Sequence, residues 1–239
     1  MKMQNGRRAL VLCLILLLLT TMLPATTAQQ IAAGIVIASV SMGEGTGRRA
    51  LVQFQPATGD VTYLTNGDYL DGGGELSPDG TKYVFMSNRA GGRDLFILDM
   101  ATGTIIPLLI APSNERNPRW SPDGAQIAYE SRGRDGSPFS NIYLIHVDGT
   151  HDQALTTTGG RNHVWSPDGN SIAFNNRDLN WYRIDLDGTN LQQITFGTYR
   201  GTYAQWSPDG TRFAFLHADR LWHIDLNNPV NVQAVESIK

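Results

Sequence analysis

The sequence predicts an all-β fold: a β-propeller of about five four-stranded blades, the first of them incomplete. Three observations predict it. Ser-Pro-Asp-Gly occurs four times, starting at Ser77, Ser121, Ser166 and Ser207, with spacings of 44, 45 and 41 residues. After each copy comes a short bulky–small–aromatic segment: Tyr83-Val84-Phe85, Ile127-Ala128-Tyr129, Ile172-Ala173-Phe174 and Phe213-Ala214-Phe215. Each unit of about 40 residues then has room for four short strands, which is the arithmetic of a propeller blade.

The first element is a leader. Lys2, Arg7 and Arg8 precede an apolar run from Ala9 to Leu23, Pro24 ends the run, and Thr26-Thr27-Ala28 offers small residues for cleavage. This is the layout of a secretory signal peptide over residues 1–28. The run is shorter than the about 20 apolar residues a spanning helix requires. The expectation is an exported protein, periplasmic or extracellular, with no membrane span after cleavage. Cys13, the single cysteine, lies in the leader, so residues 29–239 hold no disulfide, thiolate or cysteine metal site. Without the leader's three bases the net charge is about −6, which disfavours nucleic acid as a partner.

Residues 29–239 form the propeller domain, with blades at 29–66, 74–110, 117–157, 162–196 and 203–236. In each Ser-Pro-Asp-Gly the proline presets φ, and Asp and Gly suit the third and fourth positions of a type I turn. A strand therefore enters each turn, carrying Trp120, Trp165 or Trp206 just before it, with Leu76 in the equivalent place. The segment after the turn is the second strand. Alternate side chains point to opposite faces, so one face is bulky and the other carries Ala or Val. Both faces are apolar, as in a blade whose bulky face fills the shallow face of the next.

Third strands follow at Leu95–Asp99, Ile142–Val147, Trp181–Asp185 and Leu221–Asp225. Weaker fourth strands follow at Ile105–Ile110, Gln153–Thr156, Gln192–Thr195 and Val230–Val235. The first blade supplies only a second, third and fourth strand, at Ile35–Ser39, Ala50–Gln55 and Val61–Thr65. No inner strand with its turn precedes Ile35.

From Ile35 onward the repeats resemble those of the TolB-type propeller family. Trp165 to Thr189 carries the pattern in one stretch: Trp-Ser-Pro-Asp-Gly, Ile-Ala-aromatic, an Asn/Arg-rich loop, a strand with an aromatic, then Asp-Gly-Thr. The resemblance implies an exported protein that binds other proteins at the mouth of the propeller channel. The α/β domain that precedes the propeller in TolB proteins has no counterpart between the leader and the first blade, and six blades are usual where five are counted here. Similar repeats form the propellers of prolyl-oligopeptidase-like peptidases, whose hydrolase domain has no counterpart in this sequence.

Catalytic motifs are few. Gly-x-Ser-x-Gly, Gly-x-x-x-x-Gly-Lys and His-Glu-x-x-His are all missing. Asp185 to Asn190 looks like a calcium loop, but its glycine comes too early and no bidentate Glu follows. His146, His151, His163, His217 and His223 show no metal-ligand spacing. No cofactor and no metal are expected. The four turn aspartates are read as caps of their own turns, and the tryptophans as packing between blades.

Propeller geometry puts the Ser-Pro-Asp-Gly turns and the third-to-fourth turns on one face, rich in aspartate. The second-to-third loops and the blade crossovers share the other face, with an excess of arginine around the channel mouth. A partner bearing carboxylates or phosphates would approach that mouth. The candidate binding residues are Arg116, Arg119, Arg161, His163, Arg200, Tyr203 and Gln205, since Arg and Tyr are enriched at binding hot spots. The expectation is a monomeric, non-enzymatic scaffold for an acidic protein or peptide. The alternatives are a lyase-like enzyme or carbohydrate binder using the same mouth, and a fragment of a larger propeller.

Overall fold

The computed structural model describes residues 34–134, 136–196, 202–218, 220–227 and 232–234. The expected signal peptide and the candidate Arg200 lie outside them. Among the described residues there is no helix, and so none long and apolar enough to cross a membrane. The strands form five antiparallel sheets.

The first blade holds β1 (Val36–Ser41), β2 (Arg49–Gln55) and β3 (Asp60–Tyr63). The second holds β4 (Gly72–Leu76), β5 (Lys82–Ser87), β6 (Asp94–Asp99) and β7 (Ile105–Leu109). The third holds β8 (Asn114–Trp120), β9 (Gln126–Arg132), β10 (Ser140–His146) and β11 (Gln153–Ala154). The fourth holds β12 (Arg161–Trp165), β13 (Ser171–Asn175), β14 (Trp181–Asp185) and β15 (Gln192–Gln193). The fifth holds β16 (Thr202–Trp206), β17 (Arg212–His217), β18 (Arg220–Asp225) and β19 (Val232–Ala234). Four sheets have four strands and the first has three, in the order β1-β2-β3. Among the described residues the five units, with three strands in the first, are as the sequence predicts. The inner strands of the second and third blades start earlier than expected, at Gly72 and Asn114.

The core lies between blades. Val84, Leu95 and Ile97 of the second blade meet Trp120, Ile127, Tyr129 and Tyr143 of the third. Ala128, Ile142 and Leu144 meet Ile172, Phe174 and Ile184 of the fourth. Ala173 and Trp181 meet Phe213, Phe215 and Ile224 of the fifth. Small-on-bulky packing holds, but in the opposite direction to the expectation. Each bulky face fills the shallow face of the blade before it, not the blade after it. The reason is the twist and handedness of the array, which alternation within one strand does not encode.

Tryptophans before the turns add polar stitches to this packing. The Trp120 indole N–H donates to the Glu75 carbonyl at 3.1 Å, and the Trp165 indole N–H to the Arg119 carbonyl at 3.2 Å. Each bond joins one inner strand to the inner strand of the preceding blade.

Among the described residues no other sheet covers the bulky-type face of the first blade. Val36 pairs with Phe54 and Phe54 with Val61, while Val52 pairs with Tyr63, which places these side chains on one side of the sheet. Val61 is 57% exposed and Tyr63 60%. Among the described residues the first and fifth sheets make no contact.

Candidate functional site

The Ser-Pro-Asp-Gly turns are closed on themselves. In every copy the Ser hydroxyl donates to the Asp Oδ1 at 2.6 Å. The same Oδ1 accepts the amide N–H two residues on, at Thr81, Ala125, Asn170 and Thr211. The Ser hydroxyl bond, then the amide bond, hold all four carboxyls below the usual carboxylate range, Asp209 down to about 2. A carboxylate with these partners is a cap.

The opposite ends of the inner strands carry a repeated β-bulge. The ladder slips between Gly72 and Glu75, Arg116 and Arg119, Arg161 and Val164, and Thr202 and Gln205. Two inner residues there face one residue of the second strand, which is Phe85, Tyr129, Phe174 or Phe215, the aromatic of the repeat. The first bulge residue is left-handed in each case: Gly73 (φ 58), Asn117 (φ 51), Asn162 (φ 54) and Tyr203 (φ 51). A bulge with a left-handed first residue re-aims side chains and bends its strand. Here it does so toward the end of each inner strand away from the Ser-Pro-Asp-Gly turn.

Glycine and asparagine suit that conformation, and the two asparagines are also tied down. Asn117 Nδ2 donates to Glu130 Oε1 at 2.9 Å, and Asn162 Nδ2 to Asn175 Oδ1 at 3.0 Å. Glu130 is buried, and its Oε1 also accepts the Asn162 N–H at 2.8 Å. One carboxylate thus holds the bulge of its own blade and that of the next. Tyr203 differs. Left-handed φ costs a bulky residue about 1–2 kcal/mol, and its ring is 77% exposed.

The arginines of this face fall into two sets. Arg89 is paired with Asp71, Arg119 with Glu75 and Arg134 with Asp152. Arg116, Arg161 and Arg177 have no carboxylate partner among the described residues. Arg161 and Arg177 line one open cleft of about 520 Å³ between the third and fourth blades, with Phe139, Thr158, Asn176 and Asp178. The Arg177 guanidinium lies 3.7 Å from the Phe139 ring centroid, a cation–π contact that orients the fork. A Cβ on Gly159 would come within 2.7 Å of the Arg177 stem, so the glycine leaves room for that arginine. Asp178 is engaged by the Tyr182 hydroxyl at 2.7 Å and the Asn180 N–H at 3.0 Å. The cleft therefore keeps a net positive charge beside an aromatic ring.

The structure separates six of the seven candidates, Arg200 lying outside the described residues. Arg116 and Arg119 lie in β8, Arg161 and His163 in β12, and Tyr203 and Gln205 in β16. Arg161 and Tyr203 are exposed at the mouth ends of neighbouring inner strands, whereas Gln205, also exposed, lies past the bulge beside Trp206 at the turn end of β16. Arg119 bridges to Glu75 at 3.3 Å and belongs to a blade-to-blade link. Arg116 is half-buried, with its Nε lacking a hydrogen-bond partner among the described residues.

His163 does not face the mouth. It is 3% exposed, and its Nε2 meets the Ala128 carbonyl at 3.0 Å. Burial, and secondarily the Arg119 charge, push its pKa down to about 3. The group is neutral in the fold and titrates near 6.5 when unfolded. Its contribution to stability is complete above pH 6.5 and is lost as the pH falls from there toward about 3. The slope approaches about 1.4 kcal/mol per pH unit. Urea melts of the protein and its His163→Gln variant between these limits should show a shallower pH slope for the variant. Equal slopes would remove His163 as the source.

Arg177 is in the arginine-rich loops by sequence, but nothing in sequence sets it on Phe139, which is distant in the chain and carries no motif. The bulge residues Asn117 and Asn162 could have been found from their recurrence three residues before the repeat's tryptophan, although the second blade has Gly73 there and the fifth has Tyr203. Among the described residues no three His, Cys, Asp or Glu side chains converge as a metal set would.

A family model described as the TolB beta propeller domain matches residues 32–180, more than half of the chain. The chain belongs to the TolB β-propeller family. No curated protein sequence matches it. Among solved structures, TolB from Acinetobacter baumannii is 20% identical with a TM-score of 0.69, over 84% of this chain and 52% of that one. The chain thus spans about half the length of that TolB. A putative TolB from Agrobacterium tumefaciens is 23% identical with a TM-score of 0.65, over 83% of this chain and 79% of that one. An oligogalacturonate lyase from Vibrio parahaemolyticus is 13% identical with a TM-score of 0.61, over 84% of this chain and 64% of that one. At these identities the likeness to TolB and to the lyase shows the propeller fold alone.

Proposed function

We propose that this TolB-family propeller is an exported, non-enzymatic scaffold that captures an acidic protein or peptide at the mouth face of its inner strands. The observation that carries this reading is the pair Arg161 and Arg177, two guanidiniums without carboxylate partners among the described residues, in one cleft beside Phe139. A guanidinium fork suits a carboxylate bidentately, and an aromatic floor supplies contact area at little entropic cost. Export follows from the leader-like segment at residues 1–28.

The test is a double charge reversal, Arg161→Glu with Arg177→Glu. Both residues are exposed, so the melting temperature should stay within a few degrees of the parent. Capture of an acidic peptide should fall at least about tenfold, and the residual binding should lose its salt dependence. Unchanged capture by a correctly folded double variant would sink the mouth reading.

A further inference from the structure

We infer that Tyr203 is an aromatic anchor for a peptide segment that carries acidic residues next to apolar ones. The inference rests on the peptide-binding reading above and names the ligand chemistry of that mouth. Its support is a contrast among four equivalent positions. At the first bulge residue three blades use Gly73, Asn117 and Asn162, residue types that accept left-handed φ. The fifth blade places a tyrosine there at φ 51.

Among the described residues no side-chain hydrogen bond offsets the strain of that tyrosine. Asn117 and Asn162 each make a side-chain hydrogen bond that fixes the bulge. Tyr203 has no such bond among the described residues, and its ring is 77% exposed rather than packed. Asparagine or glycine would serve the backbone better. A strained conformation kept with no local compensation points to a role outside the fold.

Position gives the chemistry. The bulge is at the mouth end of β16, whose inner-strand neighbour β12 begins with exposed Arg161. Arg161 leads into the cleft with Arg177 and Phe139. An exposed tyrosine on the strand beside the one that begins with Arg161 suits a chain in which a flat apolar side chain lies beside a carboxylate. Tyrosine presents area with few rotors to freeze, and arginine supplies the polar contact.

The experiment reads two quantities whose signs diverge. The probe is a short fluorescein-labelled peptide of alternating Glu and Phe, with Glu/Ala and Gln/Phe peptides in parallel and an oligogalacturonate as a carbohydrate probe. Tyr203→Asn should raise the melting temperature by about 2–6 °C by relieving the strain. The same change should weaken the Glu/Phe peptide about tenfold and leave the Glu/Ala peptide unchanged. Tyr203→Phe should keep the affinity of the parent. A residue with only a structural role cannot give a higher melting temperature together with lost affinity.

The inference is overturned if Tyr203→Asn melts at or below the parent, if it binds the Glu/Phe peptide as well as the parent does, or if oligogalacturonate binds in place of the peptides. Loss of both acidic peptides in the Arg161→Glu, Arg177→Glu protein with full binding in Tyr203→Asn removes the anchor and leaves the mouth reading standing. No saturable binding of any acidic peptide to the parent removes both.

Discussion

Replacing Trp181 with alanine will cost about 3–5 kcal/mol of stability, the range for removing a large buried aromatic from a close-packed interior. Trp181 is 0% exposed and heads the largest fully buried side chains. Its ring meets Phe213 edge-on at a centroid distance of 5.1 Å, a favoured aromatic geometry. Around it pack Ala173, Ile194, Ala204, Phe215 and Ile224. The cavity left behind would lie on the seam between the fourth and fifth blades, where backbone ladders on both sides prevent collapse.

The loss should also be local. Blades in such an array contact only their neighbours, and among the described residues the fifth sheet touches the fourth but not the first. The fifth blade is therefore held from one side. In Trp181→Ala, hydrogen exchange should accelerate across β17 and β18 while β5, β6, β9 and β10 keep their protection. A chemical melt gives the total cost and exchange gives its place. Uniform acceleration in all five sheets would show that the array unfolds as one unit. A cost under about 1 kcal/mol would show that the seam repacks.

Replacing Glu130 with alanine should cost about 2–3 kcal/mol and damage the mouth at once. The side chain is 2% exposed and accepts from Asn117 Nδ2 and the Asn162 N–H through one oxygen. Truncation leaves both donors without this acceptor and frees two adjacent bulges. Arg161 immediately precedes Asn162, so its guanidinium loses its fixed base. Acidic-peptide affinity should fall with stability. Glu130→Gln keeps an oxygen acceptor in place and should recover most of both. If Glu130→Ala melts like the parent, or if Glu130→Gln is as damaged as alanine, Glu130 does not act through these two hydrogen bonds.

The reading of the sequence succeeded where a residue's role is local. A Ser-Pro-Asp-Gly turn is specified by four adjacent residues, and the Ser-to-Asp bond at 2.6 Å recurs in every copy. The bulky–small–aromatic alternation sets which side chains share a face, because the period of a strand is two residues. That is why blade number, strand order and the incomplete first blade were all legible. The same alternation says nothing about which neighbouring blade receives the bulky face, and that direction was read the wrong way round.

Sequence reasoning was weaker for the site, because a charge counted along the chain is not a charge available in space. Of the arginines counted toward the mouth face, Arg89, Arg119 and Arg134 are paired with carboxylates that lie 18, 44 and 18 residues away. His163 lies two residues after Arg161, where a regular strand would put both on one face, but the bulge intervenes. Its ring turns inward to the Ala128 carbonyl of the preceding blade.

The sequence by itself determined the repeat, the turns, the alternating faces and the residues from which a binding face could be built. Those features depend on contacts within a few residues, where identity nearly dictates conformation. Only the tertiary structure decided that Arg161 and Arg177 share one cleft with no carboxylate partner among the described residues, that Phe139 lies under one of them, and that Tyr203 holds a left-handed φ while exposed. Those outcomes depend on how separate blades stack, and stacking brings together residues that no local pattern relates.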